Sequence, residues 1–286
     1  MQPPRTHSGK TRVAGIIGHP VAHSRSPRLH GFWLDRHGID GAYIPLPLAP
    51  ADFQAALRAL PALGFVGANV TIPHKQTAMV ACDILEEEAR RIGAVNTLIF
   101  HPDGRIEGWN TDGWGFIQSL REGAPAWRAE AGPAVILGAG GGARAVSHAL
   151  LAAGCPRLTL VNRSRDRAEA LAAELAIHGA TVAVADHPPL EGAALLVNTT
   201  SQGMQGQPPL AIDLAPLPPG AVVADLVYVP LETPLLAAAR ARGLVAVDGL
   251  GMLLHQGRRG FQAWFGTMPE VDAGLRAFVA SDIPRT

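Results

Sequence analysis

PAVILGAGGGARA, residues 133–145, joins a short apolar β-rich run to a glycine turn and the start of an Ala-rich helix. Gly138, Gly140 and Ala143 stand there in the order GxGxxA. The first glycine permits a tight turn, the second lets a pyrophosphate approach the backbone, and the small third residue lets helix and strand pack closely. Gly138, Ala139, Gly140, Gly141, Gly142 and Ala143 are then a candidate phosphate cradle, because the N–H groups at a helix N-terminus favour an anion. A purely structural turn would use the same glycines, and it is the strand before and the helix after that favour the dinucleotide reading. Downstream, LTLVNR, a helix from about Arg165, TVAVA, LLVNTT, AVVADLVY, a helix capped by Thr233 and Pro234, and VAVDG keep the alternation going. This pattern predicts an α/β protein with a Rossmann-type, doubly wound dinucleotide-binding domain over 113–249.

The second strand of that domain ends in Asn162-Arg163-Ser164, 24 residues beyond Gly138. An NAD-binding domain usually places an acidic residue there for the ribose hydroxyls. Here a base takes its place, with Arg167 one helical turn on, and both can meet a 2′-phosphate through charge-assisted hydrogen bonds. The cofactor expected is NADP. A solvated loop face would look similar, and Asp166 at the helix start weakens the contrast.

Working outward, the first half holds strands near 13–18, 42–48, 65–72 and 94–100 and a hairpin from HPDGR to IEGWN. Its first helix is expected to have Ser26 as N-cap, Pro27 at the first helical position and Gly38 beyond its end. After Gly251 come two helical segments, MLLHQGRRGFQAWF and one opened by Pro269. No strand follows them, so they are expected to return to the first domain. The predicted division is 1–112 with 250–286 for substrate and 113–249 for cofactor. Residues 1–11 read as a frayed tail, and the Pro-rich stretch 207–219 as a long surface loop.

Composition agrees with this organisation. A chain of 286 residues is long enough for two ordinary domains, and 48% hydrophobic against 17% charged residues describes a protein with a real core. Lys and Arg together equal Asp and Glu at 24 each, without like-charge runs, so the footprint of a nucleic-acid binder is missing and a small molecule is the expected partner. Cys82 and Cys155 form no CxxC, which leaves neither a disulfide framework nor a metal site and suggests a reducing compartment. No apolar stretch reaches the ~18 residues of a membrane span, and a cytoplasmic location follows by elimination.

Four polar clusters interrupt the apolar first half: HSRSP at 23–27, NVTIPHK at 69–75, GAVNT at 93–97 and NTDG at 110–113. They fall at predicted strand ends or helix starts, where an open α/β sheet places its ligand crevice. Taken singly, Ser24 and Ser26 also read as helix caps, Asn69, Asn96 and Asn110 as turn formers, and Asp112 as a cap.

Taken together, PVAHSRSPRLH, NVTIPHK, GAVNT, WNTDG, LGAGGGARA, VNRS, DLVY, ETPLL and GLGMLLHQ resemble, in order and spacing, the shikimate dehydrogenase family over about residues 13–265. The resemblance implies a pyridine-nucleotide oxidoreductase interconverting 3-dehydroshikimate and shikimate in aromatic amino-acid biosynthesis, as a monomer or homodimer. It further implies that Ser24, Ser26 and Tyr228 bind the substrate carboxylate and that Thr71, Asn96 and Gln256 read ring hydroxyls. Lys75 is then the general acid/base with Asp112 assisting, and Leu226, Gly249 and, more weakly, Met252 line the nicotinamide side. Two features depart from the pattern: Arg258 and Arg259 follow Gln256 where small residues are usual, and the N-terminal tail is long. A solvated face is the plain reading of the two arginines. A quinate dehydrogenase would keep Lys75 and Asp112, and Ser26 and Arg163 favour shikimate and NADP over it. A non-catalytic binding module would not need that pair, and an unrelated Rossmann enzyme would not need the four clusters.

Overall fold

A computed structural model describes residues 7–176 and 179–284. Two compact units emerge. One takes the chain up to Thr111 together with Gln256–Val279, and the other takes Asp112–His255 and the chain from Ala280.

The first unit is built on six strands: β1 (Arg12–Gly18), β2 (Gly41–Pro47), β3 (Phe65–Val70), β4 (Ile84–Leu85), β5 (Thr97–Phe100) and β6 (Ile106–Trp109), in the order β2-β1-β3-β5-β6-β4. β1 pairs in parallel with β2 and β3, whereas β5 runs antiparallel to both β3 and β6. The predicted hairpin is the β5–β6 pair, its turn passing through Gly104 at φ +83°. Antiparallel pairing matters because it brings the start of β5 to the finish of β3. Asn69 pairs with Thr97, and Thr97 with Trp109. Clusters scattered over some 90 residues therefore gather at one end of one sheet.

Helices α1 (Ser26–Arg36), α2 (Phe53–Ala59), α3 (Lys75–Ala81) and α4 (Glu87–Ile92) connect these strands. One face of the sheet packs Ile17, Phe53, Leu57, Val70, Leu98 and Ile106. Ala68 points into that cluster, so its neighbour Gly67 points the opposite way. There the indole of Trp264 lies on the strand and donates from Nε1 to the Leu98 carbonyl at 2.9 Å.

The second unit carries α5 (Asp112–Gly123), β7 (Ala134–Leu137), α6 (Gly141–Ala152), β8 (Leu158–Val161), α7 (Arg165–Ala176), β9 (Val182–Ala185), β10 (Leu195–Asn198), β11 (Val222–Asp225), α8 (Pro234–Ala241) and β12 (Val245–Val247). All its strands are parallel, in the order β12-β11-β10-β7-β8-β9, which is the doubly wound arrangement expected. Apolar clusters cover both faces, one around Ile136, Leu160 and Val197 and the other around Val135, Leu196 and Val223. α9 (Gly249–Phe265) and α10 (Ala273–Ala280) complete the chain.

Several expectations need correction. Ser26 is the first residue of α1 and is buried, while Arg25 holds the cap position with helix-like angles and no capping side chain. Ser24 Oγ instead accepts the Ser26 N–H at 3.3 Å. Asp112 is likewise the first residue of its helix. Pro269 does not open α10, which begins at Ala273 with the Asp272 carboxylate accepting the Leu275 N–H at 2.8 Å. The stretch 207–219 is a loop, but Leu214 and Leu217 are buried in the core, and Arg242 binds both their carbonyls. Of the supposed frayed tail, residues 1–6 lie outside the described residues. Ser8 and Thr11 are tied to the Asp40 carboxylate at 2.5 and 2.6 Å, which holds its pKa below the usual carboxylate range. Arg258 and Arg259 are not a solvated face. Arg258 donates to the Pro269 carbonyl at 2.8 Å, and Arg259 pairs with Glu86 at 2.7 Å while covering the Trp109 ring at 5.0 Å.

Candidate active site

In the second unit the glycine turn lies where β7 adjoins β10 and the strand order reverses. Gly138 has φ +114°, and a Cβ there would collide with Thr199 Oγ1 at the end of β10. A side chain is excluded on both counts. Thr199 Oγ1 donates to the Leu137 carbonyl at 2.7 Å and so closes the strand end beneath the turn. Gly140 is extended and caps α6 without a side chain, so no capping side chain satisfies the first N–H groups of this helix. A Cβ on Gly140 or Gly141 would meet nothing within 4 Å, whereas Gly142 lies against Leu226 and Ala143 is fully buried. Open space over two glycines at a 12-residue helix start fits a pyrophosphate.

At the end of β8, Asn162 Nδ2 donates to the Ser164 carbonyl at 2.8 Å and shapes the turn that carries Arg163. Arg165 is occupied by Glu169 and Asp186, at 2.7 and 2.8 Å. Arg163 and Arg167 are exposed, and among the described residues neither side chain has an ion-pair partner. Two exposed arginines at and just after the end of β8, with Glu169 and Asp186 engaged by Arg165, suit a 2′-phosphate. Gly249 starts α9 so close to β11 that a Cβ would overlap the Leu226 carbonyl. Met252 packs partly buried on the core, and Tyr228 is half-buried beyond the strand.

In the first unit, Ser24 and Ser26 follow β1 and open α1, while Thr71 and Lys75 follow β3, with Lys75 heading α3. The Lys75 carbonyl accepts the Val95 N–H at 2.9 Å, which ties the helix start to the GAVNT segment. His74 stacks on Phe53 and bonds the Leu48 carbonyl at 2.7 Å, fixing the turn before the lysine. Asn96 is buried. Its Oδ1 accepts the Thr111 N–H and the Thr97 hydroxyl, both at 2.9 Å, and its Nδ2 donates to Thr111 Oγ1 at 3.1 Å and Gln256 Oε1 at 3.5 Å. Asn96 and Gln256, 160 residues apart, are thus in direct contact. Gln256 lies on α9 one turn before Arg259, whose ion pair with Glu86 anchors that helix. Asp112 and Tyr228 belong to the second unit, Asp112 heading α5.

Thr97 and Thr111 receive no role from sequence and Asn69 reads there only as a turn former, although each sits in a quoted cluster. The available signal was a polar residue inside an otherwise apolar strand, as in FVGANV and VNTLIF. Asn69 is no turn former, being buried in β3 and hydrogen-bonded by Tyr43 at 2.6 Å.

The doubly wound second unit with its glycine turn, and the first unit with amides, hydroxyls and a lysine at its strand ends, define a two-domain, dinucleotide-dependent type of enzyme. Three family models match the chain: the shikimate dehydrogenase substrate binding domain over residues 16–98, shikimate/quinate 5-dehydrogenase over 127–202, and the shikimate 5′-dehydrogenase C-terminal domain over 249–277. A shikimate dehydrogenase (NADP+) of Rhodospirillum rubrum is 65% identical over 95% of this chain and 98% of its own. Among solved structures, a shikimate dehydrogenase in complex with NADP+ superposes with a TM-score of 0.89 at 35% identity, covering 97% of this chain and 98% of that one. A quinate dehydrogenase from Corynebacterium glutamicum in complex with NAD reaches 0.87 at 34% identity, covering 95% and 99%. The chain belongs to the shikimate dehydrogenase family.

Proposed function

We infer that the chain is an NADP-dependent shikimate dehydrogenase, an oxidoreductase reversibly reducing 3-dehydroshikimate to shikimate in aromatic amino-acid biosynthesis. The observation that carries this reading is 65% identity to a shikimate dehydrogenase (NADP+) across nearly the whole chain. The 138–143 turn and the start of α6 would hold the cofactor's pyrophosphate, Arg163 and Arg167 its 2′-phosphate, with Asn162 and Ser164 shaping that turn, and Leu226 and Gly249 would border its nicotinamide. When bound, the cofactor supplies hydride to the carbonyl carbon.

As that carbon is reduced, its oxygen gains charge and must gain a proton. Lys75 stabilises the oxygen as an ammonium and then protonates it, and in the reverse direction it takes the hydroxyl proton, with Asp112 assisting. Ser24, Ser26 and Tyr228 bind the substrate carboxylate. Thr71, Asn96 and Gln256 bind the ring hydroxyls, and such neutral groups satisfy a polyol directionally without burying unpaired charge. The protein acts on a small molecule in the cytoplasm as a monomer or homodimer, without nucleic acid or membrane. Among the described residues no helix is long and apolar enough to cross a membrane.

The test is a spectrophotometric assay of the purified protein with shikimate or quinate as substrate and NADP or NAD as cofactor. Shikimate with NADP should give the highest kcat/KM. In Arg163→Ala the advantage of NADP over NAD should shrink by roughly tenfold or more, the worth of one charge-assisted contact. A higher value for quinate with NAD in the parent protein would overturn the assignment.

A further inference from the structure

We propose that Thr97 is a positioning residue: with Tyr43 and Asn69 it forms a directional hydrogen-bond relay that fixes the orientation of the Asn96 amide at the substrate and, through its Nδ2, of the Gln256 amide beside it. The proposal rests on the reading of Asn96 as a substrate-binding residue. The direction of the relay follows from two backbone groups whose roles are unambiguous. The Asn96 carbonyl can only accept, so the Asn69 atom 3.1 Å from it is Nδ2. Asn69 Oδ1 therefore faces Tyr43, whose hydroxyl must donate to it, at 2.6 Å. Asn69 Nδ2 also donates to Thr97 Oγ1 at 3.1 Å, so the Thr97 hydroxyl accepts there and sends its own hydrogen onward to Asn96 Oδ1 at 2.9 Å. At the far end the Thr111 N–H, which can only donate, also meets Asn96 Oδ1 at 2.9 Å.

Asn96 Oδ1 is thus held by an N–H and an O–H from two strand ends, which turns Nδ2 toward Gln256 and Thr111 Oγ1. Tyr43, Asn69, Thr97 and Asn96 are all buried, where hydrogen bonds strengthen one another and a half-satisfied network is costly. The phenol's pKa is raised well above its ordinary value by burial, which keeps Tyr43 a donor at any working pH. The relay holds no charge, so it sets geometry alone and leaves the proton chemistry at Lys75 untouched.

The experiment compares Thr97→Val, Thr97→Ser, Tyr43→Phe and Asn96→Ala in the full-length protein, measuring kcat, KM for shikimate, KM for NADP and thermal midpoint. Thr97→Val keeps the shape and removes the hydroxyl. Its KM for shikimate should rise about tenfold, the usual worth of one buried hydrogen bond, with kcat changed less than about threefold and KM for NADP unchanged. Thr97→Ser restores the hydroxyl and should return KM to within about twofold of the parent. Tyr43→Phe, which also removes a hydrogen bond to Ser26, should raise KM by more, and Thr97→Ala, which likewise lacks the hydroxyl, serves should Thr97→Val not fold. A purely structural role would lower the thermal midpoint without moving KM. Unchanged KM in Thr97→Val, or equal losses in the Val and Ser variants, overturns the relay. Unchanged KM in Asn96→Ala overturns the placement of Asn96 at the substrate, and that failure is visible separately from the relay's.

Discussion

Asp225 ends β11 as a buried carboxyl with three donors aimed at it: Asn198 Nδ2 at 2.9 Å, the Val227 N–H at 3.0 Å and the Thr233 hydroxyl at 2.8 Å. Burial outweighs those donors and pushes its pKa from the ordinary 3.8 up to about 6. A folded-state pKa raised above the unfolded value means that the native state binds the extra proton. The resulting stability is fully present below about pH 3.8 and is lost as pH rises through about 6. Its full size is on the order of 3 kcal/mol at 1.36 kcal/mol per pKa unit. Urea unfolding of the parent and of Asp225→Asn between pH 4 and 7 should show the parent losing stability relative to the variant up to about pH 6 and running parallel above it; parallel curves throughout would contradict this. Lys75 gives a prediction of a different kind. Lys75→Ala should lower kcat by roughly 100- to 10,000-fold, the usual worth of a positioned acid/base, with KM for NADP little changed. Near-normal turnover would remove Lys75 from the proton path.

Between elements, the tightest junction is that of β3 with α9. A Cβ on Gly67 would overlap both the Trp264 indole nitrogen and the Leu98 carbonyl. Neither can yield, since one is a fully buried ring and the other is strand backbone already bonded to it. Gly67→Ala should therefore cost more than about 3 kcal/mol and give mostly insoluble protein, and a thermal midpoint within a few degrees of the parent would refute the argument. At this scale the limits of sequence reading are also visible. The glycine turn was legible because its demands are local: Gly138 needs a positive φ, and Ala143 is a small, fully buried residue at a helix start. The hairpin was legible for the same reason. Helix starts were less so: Arg25 already has helical angles before α1, which moves Ser26 inside, and Pro269 sits in the approach to α10 while Asp272 does the capping. β4 has only two residues and offers no alternation to detect. The Asn69–Thr97–Thr111 set could not be assembled because its contacts arise from antiparallel pairing between strands 28 positions apart. The strings were readable; the register that joins them was not.

On the scale of the whole molecule, the first unit is assembled from the chain up to Thr111 and from Gln256–Val279, with Asp112–His255 of the dinucleotide unit lying between these segments in sequence. Trp33 donates to the Glu270 carbonyl at 2.9 Å, Arg28 to Phe278 at 2.8 Å and Arg36 to Asp272 at 2.5 Å, so α1 and the C-terminal segment are held together along their length. His30, fully buried among Trp33, Tyr43, Phe261 and Trp264, has its pKa lowered to about 3 by that burial. A chain ending at His255 lacks Phe261 and Trp264 and opens this aromatic cage. Its first unit should bind a hydrophobic dye, lose near-ultraviolet dichroism and be digested up to about Thr111 while β7–β12 resist; a fragment equally resistant throughout would show that the segment is dispensable. The same arrangement sets a timetable for biosynthesis. A ribosome releases β1, β2 and β3 first, yet the indole that covers Gly67 is encoded almost 200 codons later. Throughout that interval the nascent first unit presents an uncovered aromatic face, so this is the stage of its synthesis most exposed to aggregation and most in need of a chaperone.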